Sequence, residues 1–140
     1  MNEIKKNIKK YKTLLFFVLS IWASIYIACH GTGKSFIETN MINAIITLFG
    51  VAITGSIFIS QALENNSTEE SKDLLTRIHK SLAFVLNLII IAIFLDLIIE
   101  RYSTILFEVI YYFILFYSTI VLDDVLNGFF KLCENISILK

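Results

Sequence analysis

Three features of the 140-residue chain predict an all-α integral membrane protein with four transmembrane helices. Hydrophobic residues make up 56% of it and charged ones only 17%, against about 45–50% and roughly 25% in an average soluble domain. A chain this small has too much surface for its volume to bury that surplus inside itself, so a second apolar phase must cover it. The apolar residues also fall into four nearly charge-free runs, each close to the roughly 20 residues that cross a bilayer core of about 30 Å as a helix. Such runs are too long for barrel strands, which need about 9–11 residues, and they lack in/out alternation. No proline interrupts them and glycine is scarce at five, which excludes a disordered or linker-rich chain. A single domain over 1–140 is expected, with spans at about 13–29, 41–60, 82–100 and 104–122. A loop or helix at 61–81 and a tail at 123–140 complete it.

The first span (TLLFFVLSIWASIYIAC) follows a basic tail holding Lys5, Lys6, Lys9, Lys10 and Lys12. That order has the shape of a signal peptide, and Ala28-Cys29 offers a lipoprotein cleavage position. Tyr26 fits that motif poorly and the apolar run is long, so an uncleaved first span is expected. Within it, Ser20, Ser24 and Ala28 recur every four residues, a face that lets another helix approach closely in lipid. Residues 28–35 (ACHGTGKS) match a loose phosphate-binding loop with Ala in place of the first Gly. That loop works between a strand and a helix, where backbone N–H groups cradle phosphates. Here it follows a spanning helix and leaves no room for a sheet, so a Gly-containing helix stop is expected, with His30 at the interface.

The second span carries Gly50, Ala52, Gly55 and Ser56, again a small-residue surface for helix packing or self-association. After it, Ser67 with Glu70 three residues later reads as a capping box. One uninterrupted helix is expected from about residue 68 to 100, near 48 Å long at 1.5 Å per residue. Its first turns then project into the cytoplasm. Leu74, Leu75 and Ile78 form an apolar stripe on that projection. The stripe either packs on the chain's own segment 123–139 or serves as a docking ridge for a cytoplasmic partner or a second copy.

Spans three and four carry the intramembrane polar residues, which are costly in lipid and tend to face the bundle interior. Asp96 lies about 7 Å inward of Arg101, and Glu108 about 9 Å inward of the turn, at 1.5 Å per residue. The turn is short, so the two helices are antiparallel neighbours and both carboxyls come to similar depth. They either share a proton or hold a cation, or they are neutralised by Arg101 or Lys34 or snorkel outward. Asn87 points to the opposite face and is expected to hydrogen-bond between helices. Helix four is rich in aromatics: Phe107, Tyr111, Tyr112, Phe113, Phe116 and Tyr117. They either line a pore or oligomer seam or face lipid, and lipid-facing positions are expected as the commoner arrangement. Asp123-Asp124 with Asn127 looks like half of the acidic motif of prenyl-transferring enzymes, but a single degenerate copy reads as a membrane exit.

Ten Lys and Arg residues fall on one side of the spans and two, Lys34 and Arg101, on the other. By the positive-inside rule both termini then lie in the cytoplasm, in a cytoplasmic (inner) membrane. The net charge of zero argues against a nucleic-acid partner. The two cysteines, Cys29 and Cys133, fall at opposite faces and cannot pair across more than about 7 Å. No metal-ligand spacing and no catalytic set is found, so no cofactor, no metal and no enzymatic activity are expected.

Two functions are consistent with these residues. One is a small homo-oligomeric scaffold or sensor that presents its projecting helix to a cytoplasmic partner. The other is an ion channel, membrane-permeabilising effector or small transporter using Asp96 and Glu108. In outline, the layout is similar to membrane subunits of bacterial antiphage systems and to toxin-immunity membrane proteins, and that likeness implies a role in bacterial defence or immunity.

Overall fold

The structure is a computed structural model that describes residues 2–31, 36–63, 68–102 and 104–138, with side chains at 11, 14–31, 36–38, 40–63, 68–102 and 104–134. All regular structure among the described residues is helical. Helix α1 spans Asn2–His30; a π-helical turn at Ile37–Met41 leads directly into α2, Ile42–Leu63; α3 spans Glu69–Tyr102 and α4 spans Ile105–Ile138.

Helix ends follow local chemistry. α1 stops where Gly31 turns to φ +65°, a left-handed conformation that glycine adopts without a Cβ clash. The Gly31 N–H donates to the Ile27 carbonyl at 2.8 Å. At the start of α3 the cap is Thr68, whose Oγ1 accepts from the Ser71 N–H at 3.3 Å and lies 2.9 Å from the Ser71 hydroxyl. The expected cap, Ser67, lies outside the described residues.

Three of the four helices are long and apolar enough to cross a membrane: α2, α3 and residues Ile105–Glu134 of α4. The apolar part of α1 is the shorter stretch Leu14–His30, about 26 Å at 1.5 Å per residue and so just under a bilayer core. Helices α3 and α4 have 34 residues each, roughly 51 Å apiece, and overrun that core by about 20 Å. α4 runs unbroken through Asp123, Asp124 and Gly128 to Ile138, so the segment beyond the expected span end at residue 122 continues the same helix as far as the described residues reach.

α4 is the centre of the bundle. It packs against α1, α2 and α3, and α2 also meets α3, while α1 rests chiefly on α4. Buried and half-buried positions advance by alternating steps of four and three: Ile45, Phe49, Ala52, Ser56, Ile59 and Leu63 on α2. The same rhythm runs from Ser71 through Ile78, Leu82, Val85 and Ala92 to Asp96 and Ile99 on α3. On α4 it runs from Glu108 through Tyr111, Leu115, Ser118, Leu122 and Val125 to Leu132. A 3.5-residue repeat keeps one seam turned toward the neighbouring helix over a long distance. The central place of α4 overturns the lipid-facing expectation for its aromatics: Tyr111 and Tyr112 are buried, and Phe113, Phe116 and Tyr117 are half-buried. Phe17 of α1 packs edge-on against Phe113 at 5.3 Å, and Phe84 of α3 against Tyr117 at 6.1 Å.

Candidate functional site

The polar groups of the bundle gather at the end that carries the α3–α4 turn. Asp96 lies six residues before the end of α3 and Glu108 three residues into α4, so both sit within about 9 Å of that end at 1.5 Å per residue. Each occupies a seam position in the four-three rhythm; Asp96 is half-buried and Glu108 is only 8% exposed. The π-helical turn before α2 brings a third acid, Glu38, to the same end. The Tyr112 hydroxyl donates to Glu38 Oε1 at 2.9 Å, joining positions 74 residues apart. Glu108 lies close enough to Tyr112 to act on it electrostatically.

Beside this pair stands Tyr111, its ring 5.4 Å from that of Tyr112. Both tyrosines are 1% exposed. Yet the Tyr111 hydroxyl is buried with no hydrogen-bond partner among the described residues, although Asp96 and Glu38 both lie within its electrostatic reach. Three acids from three elements thus lie toward the end of the bundle that holds the two phenols, with Glu38 bonded to Tyr112. Glu38 was not singled out from sequence, and the tyrosines were read there only as part of the aromatic face of helix four. A signal was present: alternating spans put the first loop and the α3–α4 turn at the same end, so an acid just before the second span belongs near Asp96 and Glu108.

The other expected residues take separate places. Arg101 is exposed at the end of α3, and Lys34 lies outside the described residues. Asn87 is exposed and off the seam of α3, with no hydrogen bond to another described residue. Ser20, Ser24, Ala52 and Ser56 are buried and Ala28 is half-buried. The serines satisfy their hydroxyls on their own helices, Ser24 with the Ser20 carbonyl at 2.6 Å and Ser56 with the Ile53 carbonyl at 2.8 Å. Gly50 and Gly55 differ: a methyl group at either would meet nothing within 4 Å, so they do not serve packing within the chain.

Leu74 and Leu75 are half-buried and Ile78 is buried, all turned to the core cluster. A methyl group at Gly128 of α4 would come within 3.1 Å of Ile78 Cδ1; the bare glycine is what lets α3 and α4 close there. Ile78 is therefore not on a free ridge. An apolar cavity of about 10 Å³ lies between α2, α3 and α4, lined by Ile42, Ile45, Ala92 and Leu115 among others; it has room for one water at most. No three of the described His, Cys, Asp and Glu residues are grouped so as to hold a metal ion.

No protein-family model, curated protein or solved structure matches the chain. What the geometry defines is a helical bundle whose long apolar helices are those of a membrane-associated protein.

Proposed function

We propose that the chain is a small multi-pass protein of the bacterial inner membrane that assembles with copies of itself and acts as a scaffold or sensor for a cytoplasmic partner, in defence or immunity. The observation that carries this reading is the joint overrun of α3 and α4 beyond the bilayer thickness, with Ile78 seated on Gly128. Two helices locked along one seam form a stiff projection, and its outer faces carry exposed Lys72, Asp73, Arg77 and Lys80 on α3 and Asp124 and Lys131 on α4. Since Ile78 is covered, the partner is read by these charged flanks with the half-exposed edges of Leu74 and Leu75. The Lys and Arg asymmetry supports a cytoplasmic side for the projection and both termini. α1 completes a four-span arrangement, a slightly short helix being accommodated by local thinning of the bilayer. No enzymatic activity, cofactor or nucleic-acid partner belongs to this reading.

The test is site-specific photo-crosslinking in cells from positions Lys80 and Asp124, with Ile25 on the apolar face of α1 as control. A discrete protein adduct from the two projection sites and none from Ile25 is expected. No adduct from the projection, or the same adducts from all three positions, overturns the scaffold reading.

A second reading has its own support in the buried Glu108 and the nearby Asp96: an ion channel, permeabilising effector or small transporter. It predicts prompt depolarisation on expression, read with a voltage-sensitive dye, that vanishes in Asp96→Asn/Glu108→Gln. A steady membrane potential at good expression overturns it.

A further inference from the structure

We infer that the face of α3 turned away from the bundle is the contact between two copies of the chain, with Asn87 at its centre. Every residue from Leu82 to Leu95 is apolar except Asn87. A polar residue in such a run ordinarily turns to the bundle interior. Asn87 does the reverse. It lies two residues past the buried Val85, about 200° around a helix of 3.6 residues per turn, and it is exposed. It also stands far from the segments that join α3. At 1.5 Å per residue Asn87 is about 22 Å from the Tyr102 end and about 27 Å from the Glu69 end, where residues 103 and 64–67 attach. An amide that faces acyl chains keeps its desolvation penalty, because lipid offers it no hydrogen bond.

The neighbours of Asn87 define what covers it. Phe84, Ile91, Phe94 and Ile98 are exposed and continue a four-three spacing on the same face. This second seam lies opposite the inner one, and a 3.5-residue repeat suits another helix laid alongside. α2 and α4 hold the inner side of α3, so that helix approaches from the open side. A second copy fits the seam better than any other chain. An amide both donates and accepts, so its complement is another amide at the same depth. Copies that share one orientation in the membrane supply it by symmetry: a two-fold axis along the membrane normal sets Asn87 against Asn87. One amide on an apolar seam also fixes register and the number of partners. Past the bilayer the same spacing reaches Lys80 and Arg77, both exposed. Across the axis these set like charges together, which repel, so the contact ends at the membrane surface. The two projections then stand side by side but apart, each open to a partner.

This inference rests on the self-assembly of the scaffold reading and names its face. Its test uses the full chain in vesicles, with Cys29→Ser, Cys133→Ser and one new cysteine on α3. Oxidation by copper phenanthroline is expected to link Ile91→Cys and Phe94→Cys into disulfide dimers. Leu86→Cys and Ile93→Cys are similarly exposed but lie beside the seam. They are expected to link at least about fivefold less, since bridged Cα atoms must come within about 7 Å. In the parent, dimers are measured by energy transfer. Asn87→Leu is expected to weaken them about three- to thirtyfold, the range for one interhelical pair of amides, and Asn87→Gln to restore most of the loss. Equal linking from all four positions, or a parental dimer in Asn87→Leu, overturns the face. Energy transfer with no link at Ile91 or Phe94 also overturns it, and leaves the scaffold reading standing. A parent that is monomeric at every protein-to-lipid ratio overturns the self-assembly as well.

Discussion

Tyr111 and Tyr112 are adjacent, equally buried and opposite in hydrogen bonding, so the same substitution has opposite consequences at the two positions. Tyr112→Phe removes the donor that holds Glu38 and leaves a carboxylate without it, a loss of about 1–3 kcal/mol. Tyr111→Phe removes a hydroxyl that has no hydrogen-bond partner among the described residues, and it is expected to be neutral or stabilising. Unfolding of both variants in detergent, measured side by side, decides the matter: equal destabilisation would show that both hydroxyls are bonded. Asn87 is the other single residue with a clear consequence. An exposed amide in the apolar part of α3, with Phe84, Ile91 and Phe94 exposed at four-three spacing around it, is costly in lipid; on the proposed self-assembly, a two-fold contact sets Asn87 against Asn87 of a second copy and supplies the hydrogen bond. Asn87→Leu is therefore expected to shift the chain toward monomer by about 0.6–2 kcal/mol per pair of amides, measured as the dimer fraction by energy transfer in vesicles. An unchanged fraction removes Asn87 from any interface.

At the scale of helices, the α3–α4 seam governs both site and projection, because one pair of helices carries the acids at one end and Ile78 with Gly128 at the other. Gly128→Leu forces a side chain where a methyl group already comes within 3.1 Å of Ile78, and overpacking of this kind costs about 1–3 kcal/mol. Ile78→Ala leaves a void and costs about 2–5 kcal/mol. Combined, the added leucine fills the space the isoleucine vacates, so the double variant is expected to be more stable than the sum of the two losses by about 0.5–3 kcal/mol. Strict additivity in chemical unfolding would mean that the seam is not closed there. Of this seam, the sequence revealed α3 well: an acidic start after Thr68, no glycine, and a regular apolar stripe place the helix to within a few residues. It placed the start of α4 to within a residue but did not reveal that helix's buried face. That helix is apolar nearly all round, so its buried face does not stand out from its exposed one, and its aromatics read as lipid-facing. The four-three spacing from Glu108 to Leu132 was legible in principle, and following it would have put Glu108 and Tyr111 on the seam. Glu38 was hidden for a different reason: it belongs to a turn outside the spans, and only the folded bundle brings it to Tyr112.

For the whole molecule, hydropathy and length were enough to give helices and a membrane environment, because a surplus of apolar residues in a small chain has few other solutions. The assignment of sides rests on a different force, the asymmetry of ten Lys and Arg residues against two, and it is tested with groups the chain already has. Cys29 is exposed at the end of α1 near the α3–α4 turn end of the bundle, and Cys133 is exposed on the overrun of α4; both are free thiols. If the overrun is cytoplasmic, a membrane-impermeant maleimide applied to intact spheroplasts labels Cys29 and spares Cys133, and Cys133 reacts only once the membrane is opened. Cys29→Ser and Cys133→Ser assign the two signals. The reverse pattern would invert the bundle and put the charged projection outside, where no cytoplasmic partner can reach it and where the acids would face the cytoplasm. The pair reads α2, α3 and α4 alone, since the α1 span precedes Cys29. Labelling of both thiols in intact spheroplasts would mean that an even number of helices crosses between Cys29 and Cys133, which contradicts three spanning helices α2, α3 and α4.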